Sequence, residues 1–318
     1  MKGLVNLLVC VLLVSCAAEV TSAPPTQLVP TQTRAPSQKI TNHQLPATEP
    51  TRTSKPTPIV LPALTATATL LPGITPTEPI DWKTLPVIPT VDASLREIYE
   101  YGQTLGNDPH AFSIFGDCQS RPDEFLGVFE TDPEFVETLS PELQEAVENF
   151  QGSFNRESPT SKDATTPGSL LWAQWHQGMY GCSFAETPVE CELRIHRPSF
   201  VIIQVGTHFE SRNIEYLRRI ILQLMDAGVV PILATKADNR ELDDRINRDM
   251  ALLASEYDLP LWNFWAALSD LPNGGLYVMQ GRELQGAIYL NEEASLRHRM
   301  TGLEALNAVW RVATNSSR

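Results

Sequence analysis

Three short polar clusters hold most of the residues in this sequence that could do chemistry. Gly116-Asp117-Cys118-Gln119-Ser120, Gly206-Thr207-His208-Phe209 and Lys236-Ala237-Asp238-Asn239 each follow an apolar run, and His298 stands near the carboxyl end. A thiol has a small thiolate fraction at neutral pH, and an adjacent imidazole enlarges it. Cys118 with His298 or His208 is therefore a candidate nucleophile–base dyad. Asp117 beside it is suited to hydrogen-bond local backbone. Acyl transfer also needs donors aimed at the developing oxyanion. Gly206 and His208 could serve there, since an imidazole N–H donates as an amide does. Tyr289 and Asp238 complete the candidate oxyanion and ligand contacts. Each residue also has a plainer reading: Cys118 as a buried small hydrophobe, His208 as a loop histidine, His298 as a solvated cap. No cysteine or histidine spacing suggests a zinc site, and no cofactor is expected.

The elements that must position these clusters are legible as an alternation. Ala111 to Phe115, Phe200 to Val205, Val229 to Ala234 and Leu259 to Asn263 are β-branched or aromatic runs. Between and after them the pattern predicts helices at Pro141 to Gln151, Gly168 to Gln174, Ile214 to Ala227, Glu241 to Tyr257 and Gly302 to Val312. Ser140 can cap the first of these and Pro141 suits its first turn; Gly228 stops the third. His196 and Arg197 end a further helix and need no function. The expected fold class is α/β, a doubly wound, mostly parallel sheet with helices on both faces. Ligands bind such sheets beyond the carboxyl ends of the strands, where the polar clusters fall.

Taken in order, Ile114-Phe115-Gly116-Asp117 and Val205-Gly206-Thr207 resemble the SGNH (GDSL-type) hydrolase family, and Arg245 through Ala254 is similar to the helix after its fourth strand. The resemblance covers most of Ala111 to Trp310. It implies a flavodoxin-like three-layer sandwich and an esterase acting on acyl or acetyl esters of glycans or on small esters. In that family a Gly-Asp-Ser motif supplies the nucleophile, a Gly-x-Asn-Asp motif an oxyanion-hole Asn, and an Asp-x-x-His motif the base. Here Cys118 stands at the serine position and His208-Phe209 at Asn-Asp. Two alignments compete for the base: one puts Tyr289 at the His position and Gly286 at Asp, the other keeps His298 with Ser295 at Asp. Neither preserves the triad, and an imidazole without its carboxylate loses orders of magnitude in rate. Two functions follow: an ester hydrolase working through Cys118, or a non-catalytic ligand- or carbohydrate-binding domain. Trp172, Trp175, Trp262 and Trp265 are core or rim residues, or a platform on which sugar rings stack.

The rest of the chain suggests where such a domain works. Lys2, an apolar run from Leu4 to Val14 and Leu13-Val14-Ser15-Cys16 read as a signal peptide over residues 1–15. The tetrad resembles the lipobox of bacterial lipoproteins, which implies lipidation of Cys16. More than half of the chain's 25 prolines fall between Pro24 and Pro89, among Thr, Ala and Ser. Residues 16–90 are thus expected to be a disordered, semi-stiff Thr/Pro-rich linker, and residues 91–318 the globular domain. Export allows Cys182 and Cys191 to form a small disulfide. The expected location is the cell envelope outside the cytoplasm, held to the membrane only by the lipid. A formal net charge of −14 argues against nucleic acid as a partner, leaving a small ester or glycan.

Overall fold

The computed structural model describes residues 80–207 and 213–314. The signal peptide, Cys16, the linker up to residue 79, and His208 with Phe209 lie outside the described residues.

Four parallel strands line up in chain order, β1 (Asp108–Gly116), β2 (Pro198–Gln204), β3 (Val230–Ala234) and β4 (Leu261–Trp262). Phe112 lies opposite Phe200, Ile202 opposite Ile232, and Ala234 opposite Trp262. All seven residues of β2 are buried, which is why its sequence runs apolar without alternation: both faces of the sheet are covered. On one face Tyr99 of α1 (Leu95–Leu105) stacks on Phe200 at 5.6 Å. Phe150, which ends α2 (Pro141–Asn149), meets both Phe200 and Trp310 there. A further helix, α3 (Pro188–Ile195), leads into β2. The crossover helices α4 (Ile214–Asp226) and α5 (Arg245–Glu256) both pack on β3. Two right-handed crossovers between successive parallel strands put them on one side, opposite α1. The closing helix α6 (Glu292–Ala313) packs on α1, α2, β3 and β4. An antiparallel hairpin, β5 (Leu276–Val278) and β6 (Ala287–Leu290), precedes it.

Several expected boundaries shift for identifiable reasons. The closing helix begins at Glu292 rather than Gly302, because Asn291 caps it through Ala294 N at 2.9 Å and Ala294, His298 and Gly302 form a buried stripe at helical spacing. The helix expected from Glu241 starts at Arg245: Glu241 is tied to Lys236, and Asp244 has a left-handed φ of 54°. The helix expected over Gly168 to Gln174 is two short turns, Pro167–Leu170 and Ala173–His176. Neither α1 nor the hairpin was expected. Cys182 and Cys191 are joined, with Cα atoms 5.3 Å apart, and Pro188 opens α3 between them. Among the described residues no helix is long and apolar enough to cross a membrane, and no cluster of His, Cys, Asp and Glu could hold a metal ion.

Candidate functional site

The loop after β1 is tied to the loop after β2 by one carboxylate. Asp117 is buried, and its Oδ2 accepts from Gly206 N at 3.2 Å and Thr207 N at 2.7 Å. Gly206 has φ +107°, and a Cβ there would meet Ile246 Cδ1 at 2.7 Å, so only glycine lets this loop close against α5. The first two polar clusters therefore do converge at the carboxyl end of the sheet. Gln119 extends the junction by donating from Nε2 to Ile288 O at 2.5 Å. That bond docks β6, and with it Tyr289, beside the turn carrying Cys118. The Tyr289 hydroxyl donates to Gln285 Oε1.

A third wall comes from a segment that sequence reasoning passed over. Gly116 N donates to Thr160 O at 2.9 Å, Thr160 Oγ1 to Ile114 O at 2.9 Å and Ser161 Oγ to Ser120 O at 2.7 Å. Asp163, on the same segment, is 3.3 Å from Arg121. No local pattern marks these contacts, because they join residues some forty positions apart. Gln204 was also missed, though it left a signal: it is the one polar residue in the Phe-Val-Ile-Ile-Gln-Val run.

Cys118 sits at this junction as a partly buried thiol, 3.9 Å from Asp117 Oδ1. Burial, and then the negative charges of Asp117 and Asp163, push the thiol well above its ordinary range; Asp238 adds in the same direction. Such surroundings oppose the thiolate that a nucleophile needs.

His298 is far from a solvated cap. It lies inside α6, fully buried, with its ring 4.1 Å from that of Phe125 and 4.4 Å from that of Phe264. Burial lowers its pKa to about 3, so the ring is neutral. Its Nε2 is 2.7 Å from Gln204 Oε1, an atom that only accepts, which puts the proton on Nε2. Nδ1 is buried with no hydrogen-bond partner. The dyad of His298 with Cys118 is therefore not formed: Nε2 is committed to Gln204 and Nδ1 is sealed among aromatic rings. The remaining described histidines are engaged elsewhere, His110 with Asn149, His176 with Glu186 O and His196 with Phe112 O.

The third cluster turns inward. Lys236 Nζ, wholly buried, is 2.7 Å from Asp238 Oδ1 and 2.6 Å from Glu241 Oε2. Burial raises the Asp238 pKa. Asp238 thus serves an internal ion triad, while its charge is still felt at Cys118. Neither alignment for the base supplies an acid. Gly286 adopts φ +77° and ψ −165°, a region that side chains avoid, and Ser295 Oγ is 3.5 Å from Leu290 O. The tryptophans divide by environment. Trp262 is core, its Nε1 donating to Thr301 at 3.0 Å, and Trp265 packs edge-on against Trp82. Trp172 is 55% exposed.

This arrangement gathers Asp117, Cys118, Gly206 and Thr207 at the carboxyl end of the sheet, and it commits His298, one candidate base for Cys118, to Gln204 instead. No known family model matches the chain, and no curated protein matches it. Among solved structures it is similar to a GDSL-like lipase from Bacteroides thetaiotaomicron VPI-5482, at 14% identity over 68% of this chain and 97% of that one, with a TM-score of 0.37.

Proposed function

We propose that this chain is a ligand-binding domain of SGNH type that has lost ester hydrolysis, carried to the cell surface on a lipidated Cys16 and the linker of residues 16–90. The observation that carries it is the state of Cys118. The residue at the nucleophile's position is a thiol that burial and the nearby carboxylates of Asp117 and Asp163 push well above its ordinary range, 3.9 Å from Asp117 Oδ1, while His298 is bonded to Gln204. The Asp117 bridge to Gly206 and Thr207 still joins the two loops, which supports a ligand site kept after the chemistry was lost. The ligand is a small ester or a glycan, not a nucleic acid. The test is turnover of short-chain aryl esters by the full chain and by Cys118→Ala. Both should give the same background rate. Wild-type turnover that Cys118→Ala and His208→Ala each abolish would overturn the proposal in favour of a cysteine hydrolase with His208 as base.

A further inference from the structure

Beside Cys118 lies a surface groove that the crevice itself does not use. One hollow, of about 540 Å³, is lined by Arg121, Lys162, Asp163, Trp172 and Trp175, with the exposed side chains of Glu157, Gln174 and Gln177 among the rest of its wall. A second, of about 630 Å³, shares Trp172 and Trp175 and adds Tyr216, Thr166 and Arg219. The two tryptophans therefore stand at the junction of two adjoining depressions. We infer that this double groove is a binding site for an extended neutral glycan, with pyranose faces stacking on Trp172 and Tyr216.

Three features select that ligand class. Aromatic side chains present large rigid apolar faces at little entropic cost, and Trp172 is more than half exposed to solvent. A sugar ring offers a matching C–H face, while its hydroxyls need donors and acceptors at the edge; the amides of Gln174 and Gln177 and the carboxylate of Glu157 supply both kinds. The cations in the first hollow are already matched. Arg121 pairs with Asp123 and Asp163. Lys162 Nζ donates to Trp175 O at 2.9 Å and lies 4.5 Å over the Trp175 ring. A phosphate or carboxylate would have to break these contacts, whereas a neutral polyol leaves them in place. The groove is also preformed, because the 158–163 segment is bonded to β1 and to the Cys118 turn. Less ordering is then required on binding.

The inference gives a ligand class to the binding reading above and rests on it. Glycan affinity and ester turnover are measured separately, so either can fail alone. The experiment titrates the full chain, in mild detergent, with cellohexaose, xylohexaose, mannohexaose and chitohexaose, followed by calorimetry and tryptophan fluorescence. At least one hexasaccharide should bind and perturb the fluorescence. Trp172→Ala should weaken binding roughly tenfold or more, as truncating a central aromatic contact does, with its thermal unfolding unchanged. Trp172→Phe, which keeps a ring, should recover part of the affinity. No binding by any of the four sugars at millimolar concentration would overturn the inference, as would binding that Trp172→Ala leaves unaltered.

Discussion

The hydrogen bond from His298 to Gln204 Oε1 holds an imidazole that excludes protons down to about pH 3, and His196 does the same down to about pH 4, also through burial. In the unfolded chain both rings take up a proton as pH falls through about 6.5. Between these limits the unfolded state binds more protons, so their contribution to stability is complete above about pH 6.5 and is lost as pH falls toward the folded values. Urea unfolding measured from pH 6.5 to 5.0, above the range of most carboxylates, should therefore show stability falling with acidity. Each histidine adds at most about 1.4 kcal/mol per pH unit. His298→Phe keeps an aromatic ring in the stack and should flatten the slope by up to one proton's worth. An unchanged slope would mean that His298 is protonated in the folded state. Ser120 Oγ, 3.2 Å from Gln204 Oε1, links this core to the Cys118 turn. The residue best suited to be a base has thereby become a part that fixes the position of the turn.

At the scale of elements, α3 and the loop before it are held by the Cys182–Cys191 bond across a separation of nine residues. Closing a loop of that length removes unfolded-state entropy worth about 2.5 kcal/mol. The double substitution of Cys182 and Cys191 by alanine should lower the unfolding free energy by about that amount in urea, while Trp262 fluorescence in the core stays native. The central strands were legible in sequence because a doubly covered strand must be continuously apolar, as Phe200 to Ile203 are. The start of α2 was legible from Ser140 and Pro141, whose roles are local: Ser140 Oγ accepts from Leu143 N at 3.4 Å. The first turns of α6 were not, because Glu292, Glu293, Arg297 and Arg299 surround the narrow Ala294–His298–Gly302 stripe and read as loop. The meeting of the Gly116-Asp117 and Gly206 turns followed from motif order, since turns after successive strands lie at the same end of a parallel sheet, but the Asp117 side chain, expected to bond local backbone, instead accepts from Gly206 N and Thr207 N some ninety positions away. The wall made by Thr160 and Ser161, and the inward turn of Lys236, depended on partners distant in sequence or on burial, and nothing local announced them.

For the whole molecule, the proposal joins a domain that binds without hydrolysing to a tether that keeps it at the envelope. If Cys16 carries the lipid, Cys16→Ser should leave the precursor unprocessed or release the protein from membranes. Fractionation with detergent-soluble lipoproteins despite the substitution would remove the anchor from the account. The central claim, however, is that the crevice holds a thiol rather than a thiolate, and the direct measurement is the ionisation of Cys118. The thiolate's ultraviolet absorbance should be titrated in wild type and in Cys118→Ala, with the difference assigned to Cys118 by mass mapping of iodoacetamide labelling. The account predicts no difference signal and no Cys118 labelling through neutral pH and beyond the ordinary cysteine range of about 8.5. A signal that titrates at or below that range, with Cys118 labelled quickly at pH 7, would contradict it.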